Sequence, residues 1–209
     1  MSLPPDLLDG YRRFATGRLA DQRERYLALA LEGQKPRTMV IACADSRAAP
    51  ETIFDAGPGE LFVVRNVANL VPAPDAEGEE SASAAVEYAI VGLGVERIVV
   101  LGHARCGGIA ASLDEGLEPL SEGDHVRRWI APLREDAARV RAEVPKGEQQ
   151  AEMERRGIRA SVTRLRAHAA VMDAERAGTL TVLGAWFDIE NGGLWAMNAD
   201  GEFALAVDG

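Results

Sequence analysis

Short, continuous apolar runs punctuate this chain, and longer stretches with apolar residues three and four apart separate them. The first run is Met39-Val40-Ile41-Ala42, bounded by Pro36 before it and by polar Asp45-Ser46-Arg47 after it. The second, Leu61-Phe62-Val63-Val64, follows the turn signal Gly57-Pro58-Gly59. The third covers residues 97–101 and stops at Gly102, and the fourth covers 180–187. Each reads as a buried strand. Residues 5–32 read as helical, with Leu7, Leu8, Tyr11 and Phe14 on one stripe, then a second stretch from Tyr26 to Leu31, ended by Gly33. Residues 81–93 read as a helix with Ala85, Tyr88, Ala89 and Gly92 on one stripe. Helical patterns fill 107–114, 121–142 and 147–176. Pro72, Pro74 and the acidic stretch 75–80 make a surface loop. Residues 194–197 and 203–207 pair as a hairpin around Asn198-Ala199-Asp200-Gly201.

Non-alternating apolar strands that alternate with helices are buried on both faces of a mostly parallel sheet. The predicted fold is therefore α/β: a mostly parallel central sheet flanked by helices, with an N-terminal helical arm over 1–33 and an antiparallel C-terminal edge. The length of 209 residues suits a single domain.

Charge narrows the function. A net charge of −10 speaks against nucleic acid as a partner, since a duplex repels such a surface. No apolar run reaches the roughly 20 residues of a membrane helix. The first residues, MSLPPDLLDGYRRF, lack a basic segment followed by an apolar one, so a cytoplasmic location is expected. In that reducing compartment the only two cysteines, Cys43 and Cys106, are thiols or metal ligands rather than a disulfide.

Both cysteines sit just past the carboxyl end of a strand, where sites form in open α/β sheets. Cys43-Ala44-Asp45-Ser46-Arg47 follows the first strand, and His103-Ala104-Arg105-Cys106-Gly107-Gly108 follows the third. If the two strands are neighbours, Cys43, His103 and Cys106 converge as a soft donor set suited to Zn²⁺, with one coordination position free for catalysis. An inert buried cysteine is the plainer alternative. A phosphatase loop fails, because Cys-x5-Arg would need arginine where Ala49 stands. Asp45 can either take the free position or pair with Arg47 and accept a hydrogen bond from bound water.

These residues, with Gly59 to Asn69 (GELFVVRNVAN), Ala85-Val86-Glu87-Tyr88-Ala89 and Gly102-His103-x-x-Cys106-Gly107-Gly108, resemble the beta-class carbonic anhydrases over about 34–110, more weakly to Gly192. The resemblance implies reversible hydration of carbon dioxide to bicarbonate and a proton through zinc-bound hydroxide. It implies zinc held by Cys43, His103 and Cys106, an Asp45–Arg47 dyad, and a homo-oligomer, a dimer or dimer of dimers, with its active site at the subunit interface. In the plant-type, open-site branch, Gln34 matches a substrate-binding glutamine, and Phe62, Val67 and Tyr88 match the cleft wall. Gln34, Phe62 and Tyr88 would then come from the partner subunit. The other branch closes its site with the aspartate and carries a bicarbonate pocket of Trp, Arg and Tyr. Here Val40, Arg65 and Phe187 stand at those places, so an open site without that pocket is expected. His125 and His168 are expected on solvated faces. Rival readings are hydrolysis of carbonyl sulfide or carbon disulfide on the same scaffold, and a dithiol redox or sensor protein.

Overall fold

The computed structural model describes residues 3–76 and 80–207, and the chain divides into two compact units at Lys35/Pro36. The first unit is the helical arm. The stretch read as helical over 5–32 forms three helices: α1 (Pro5–Thr16), α2 (Arg18–Asp21) and α3 (Arg23–Glu32). The break falls at Gly17, which leaves helical geometry at φ −109° and ψ −104°. Gln22 separates α2 from α3, and Gly33 ends the arm at φ +80°. Phe14 packs on Tyr11 and Tyr26 inside this unit. None of its helical residues is buried, and Leu7, Tyr11, Leu27 and Leu31 stay exposed.

The second unit is built on six strands: β1 (Thr38–Cys43), β2 (Leu61–Asn66), β3 (Arg97–His103), β4 (Thr181–Phe187), β5 (Leu194–Met197) and β6 (Phe203–Val207). Their order is β2-β1-β3-β4-β5-β6. The first four are parallel, and β5 and β6 add antiparallel at the edge, as the sequence pattern predicts. Between the strands run α4 (Pro50–Ile53), α5 (Glu80–Glu87), α6 (Gly107–Leu113), α7 (His125–Trp129), α8 (Arg134–Glu143), α9 (Gln149–Arg166) and α10 (Ala169–Arg176).

Strand alternation sorts the core. Met39, Ile41, Ile98, Val100 and Val182 join Ile158, Val162 and Leu165 of α9 in the largest cluster, while Val40, Ala42, Leu101 and Ala185 form a smaller one. A third cluster closes around Cys43, Cys106, Ile109, Leu133, Val140 and Met153. Gly102 lets α9 lie close to β3: a Cβ there would come within 2.6 Å of Ile158 Cδ1.

Three predicted helices are interrupted. The 121–142 segment is α7, a 3₁₀ turn over Ala131–Leu133 and α8, because Pro132 has no N–H to continue the ladder. The 81–93 segment widens into a π turn over Tyr88–Gly92. Tyr88, on the predicted apolar stripe, is 54% exposed, because the buried face is the one carrying Ala82, Val86 and Ala89. The 147–176 segment breaks at His168, whose extended backbone (ψ 131°) caps α10. His168 does not lie on a solvated face. It is buried, with Nε2 3.2 Å from the Pro72 carbonyl, because the kink turns it under the loop that leaves β2. His125 is exposed at the start of α7, as expected. Of the acidic loop, residues 77–79 lie outside the described residues.

Candidate metal centre

The parallel pairing of β1 with β3 runs to Ala42 opposite Leu101, so both strands end together. Cys43 closes β1 and His103 closes β3. The chain then turns through Ala104 and Arg105, the latter at φ +57°, and Cys106 caps α6. Sγ of Cys43, Sγ of Cys106 and a ring nitrogen of His103 all lie within 4.8 Å of one another, and all three residues are buried. The sulfurs are 3.7 Å apart and unbonded.

The surroundings prepare these atoms for a cation. His103 Nδ1–H donates to the Ala104 carbonyl at 2.8 Å. Its Nε2 is buried with no hydrogen-bond partner, and a lone pair left so must find an acceptor of electrons or carry a proton. Burial disfavours the imidazolium, yet the Cys43 sulfur, the Ala104 carbonyl and Asp45 outweigh it, and the net direction of its pKa is upward. A hydrogen bond from Cys106, helped by His103 and by the Asp45 and Ala68 amides, brings the Cys43 thiol down to about 4 against the cost of burial. Cys106 is pushed up by that same hydrogen bond, by burial and by the Cys43 charge, although the Ile109 and Gly108 amides favour its thiolate. The two sulfurs titrate as one coupled pair. A divalent ion held there would meet two sulfurs and an imidazole, a donor set that fits Zn²⁺.

Asp45 stands beside this cluster and is not one of its donors. Its Oδ1 accepts Arg47 N–H and Nε–H, each at 2.9 Å, and its Oδ2 accepts Nη2–H at 2.7 Å. That grip, opposed by some burial, holds the carboxyl well below the usual carboxylate range. Arg47 Nη2 also donates to the Arg105 carbonyl at 3.1 Å, tying the loop after β1 to the loop after β3. Arg65 donates Nε–H to the Cys43 carbonyl at 2.9 Å and Nη2–H to the Asp45 carbonyl at 2.6 Å. Val40 is wholly buried in β1, and Phe187 pairs with His103 at the end of β4.

Of the cleft residues in the second unit, Val67 stands at the strand end that carries the cluster. It follows Asn66, the register partner of Cys43, and its Cγ1 lies 2.7 Å from where a Cβ on Gly108 would stand. Phe62 pairs with Met39, four residues back along the strand, roughly 13 Å from the level of Cys43. Tyr88 packs against it, ring centroids 5.9 Å apart. Gln34 is exposed in the arm unit.

Sequence reasoning missed Glu154, Gln150 and Trp186. Glu154 Oε1 accepts the Cys106 N–H at 3.1 Å and Gln150 Nε2–H at 3.2 Å, and Oε2 accepts Trp186 Nε1–H at 3.1 Å. Burial pushes its pKa up, and those donors oppose the shift. A signal existed: residue 154 shares a helical phase with Gly157, Ile158, Ser161, Val162 and Leu165, all buried on α9.

The model of the carbonic anhydrase family matches residues 38–194. The mitochondrial beta carbonic anhydrase 6 of Arabidopsis thaliana is 33% identical over 206 residues, 93% of this chain and 70% of that protein. Among solved structures, the beta-carbonic anhydrase CcaA is 28% identical and superposes with a TM-score of 0.86, covering 97% of this chain and 92% of that one. A tetrameric beta-carbonic anhydrase of the fungus Sordaria macrospora is 27% identical with a TM-score of 0.78, covering 96% and 94%.

Proposed function

The chain belongs to the beta-class carbonic anhydrases, and we propose that it hydrates carbon dioxide reversibly to bicarbonate and a proton at a zinc ion held by Cys43, His103 and Cys106. The observation that carries this reading is the unpartnered Nε2 of His103 facing two sulfurs beside an ionised Asp45. Bound there, zinc would act as a Lewis acid that makes hydroxide available from water near neutral pH.

The chain's own side chains do the rest. Arg47 keeps Asp45 ionised and fixed in direction. With no proton of its own, the carboxylate accepts the hydrogen bond of the attacking hydroxyl and leaves a lone pair aimed at carbon. It favours ligands that carry a proton at that point and disfavours those that do not. Arg65, by holding the Cys43 and Asp45 carbonyls, fixes the loop on which both side chains ride. The engagement of both Asp45 oxygens by Arg47 supports an open, plant-type site, and the commitment of Arg65 to backbone carbonyls speaks against a bicarbonate pocket around it.

Val67 supplies apolar wall from the same chain, and Phe62 and Tyr88 serve the site of a second copy. Their separation from Cys43 along the strand supports that assignment. Gln34 donates its amide to a substrate oxygen in the same manner. The working unit is accordingly a dimer or a dimer of dimers. The exposed apolar residues of the arm, Leu7, Tyr11, Leu27 and Leu31, are the surface such an assembly would cover. The two thiolates need a reducing compartment, and the cytoplasm is one. Among the described residues no helix is long and apolar enough to cross a membrane.

Stopped-flow hydration of carbon dioxide by zinc-loaded and metal-stripped protein tests this reading. Turnover is expected only with the metal, rising above pH 7 because two thiolates weaken the Lewis acid. Turnover on carbonyl sulfide with none on carbon dioxide would refute it.

A further inference from the structure

We propose that Glu154 is a positioning residue for the metal centre: its buried carboxylate fixes the Cys106 peptide, and with it the direction from which that sulfur reaches the ion. The inference rests on the metal reading above and extends it to a residue outside the donor set.

Glu154 is 3% exposed on the face of α9 that packs against β3 and β4. Its three contacts are all N–H donors: Cys106 N, Gln150 Nε2 and Trp186 Nε1. Three donors and no acceptor match a carboxylate, which can only accept. Among the described residues no cation forms an ion pair with it. Arg155, its neighbour in sequence, lies instead over the Trp186 ring at 4.8 Å. A carboxylate buried without a cation costs stability, so the fold keeps it for what its hydrogen bonds hold.

What they hold is the turn between two ligands. Cys106 caps α6, so its N–H has no partner inside that helix. Glu154 takes it. Gln150, which Glu154 orients, reaches the Cys106 carbonyl at 3.5 Å, so Cys106 is held through the peptide groups on both its sides. At the other end of the turn, Ala104 N–H donates to the Phe187 carbonyl at 2.8 Å. Between these anchors Arg105 sits in the left-handed region at φ +57°, where an arginine stays only if its surroundings hold it. Loosening the Cys106 anchor lets that residue relax, and the His103 and Cys106 donors move apart. Such partners behind a ligand typically set affinity by a factor of 10–100.

The test uses the full-length chain as Glu154→Gln and Glu154→Asp, with Val171→Ala as a core-damaged control on α10. Zinc affinity is read by chelator competition, and ligand geometry by the thiolate-to-cobalt absorption of the cobalt-substituted protein. Glu154→Gln is expected to weaken zinc roughly 10–100-fold and to change the cobalt spectrum. Glu154→Asp, which keeps the charge at shorter reach, should restore part of both. Val171→Ala should lower thermal stability and leave both unchanged. Should Glu154→Gln not fold, Gln150→Ala reads the same anchor from a half-buried position and is expected to weaken zinc in the same direction. A wild-type chain that takes up zinc, beside Glu154 and Gln150 variants with its affinity and spectrum, overturns the role of Glu154 alone. A wild-type chain that takes up no zinc overturns the metal centre, and this role with it.

Discussion

The sulfurs of Cys43 and Cys106 lie 3.7 Å apart, and the hydrogen bond between them lowers the pKa of the first thiol and raises that of the second. Metal-stripped, reduced protein should therefore show one thiolate equivalent by ultraviolet absorbance at pH 7, with the second appearing only in strong alkali. Two ordinary thiols titrating together near pH 8.5 would contradict the pairing. Zinc should convert both at neutral pH and release protons as it binds.

Asp45→Asn keeps the shape of the dyad and loses its charge. Zinc content should stay near the wild-type level, while turnover on carbon dioxide falls by about 10²-fold or more, since the amide can no longer act as an acceptor only. Near-normal turnover would remove Asp45 from the mechanism.

The Asp45–Arg47 pair also sets a pH dependence. The folded pKa is depressed, so the pair's stabilising contribution is present above the unfolded value of about 3.9 and is lost as pH falls through the folded value. The stability difference between wild type and Asp45→Asn, measured by urea unfolding of metal-free protein, should be flat from pH 9 to 5 and shrink only in strong acid. Arg47 is half exposed, so the difference should be small.

Sites shared between copies can be rebuilt from two broken chains. Tyr88→Ala and Cys43→Ala should each be impaired alone. Mixed and reassembled, they should recover activity, because one interface then carries an intact metal set from one copy and an intact wall from the other. No recovery in a reassembled mixture would place both halves in one chain. Gln34→Ala should cost about tenfold or less, the worth of one hydrogen bond.

Gly108 brings α6 against the turn at Val67 and Ala68. A Cβ there would stand 2.7 Å from Val67 Cγ1 and 3.0 Å from Ala68 Cβ. Gly108→Ala should cost about 1–3 kcal/mol in thermal or urea unfolding. Since the Ala68 and Gly108 amides face the Cys43 and Cys106 thiolates, it should loosen the metal as well.

The strands and the Cys43–His103–Cys106 cluster were legible because their signals are local: an apolar run, a polar strand end, a cysteine in each of two matching places. That the first and third strands are neighbours was only a condition in the sequence, and the order β2-β1-β3-β4-β5-β6 supplies it. Glu154 was hidden in Glu152-Met153-Glu154-Arg155-Arg156, where composition suggests a solvated face and only helical phase sets it apart. His168 was hidden for the opposite reason: it lies in a continuous helical pattern, and nothing local announces the break at which its ring meets the Pro72 carbonyl. The π turn over Tyr88–Gly92 is announced by no periodicity.

The most direct test is anomalous scattering at the zinc edge from crystals grown at alkaline pH. One peak per chain is expected, bonded to Cys43 Sγ, His103 Nε2 and Cys106 Sγ, with Asp45 still on Arg47. No peak between those atoms, or an Asp45 oxygen bonded to the metal, would contradict the account.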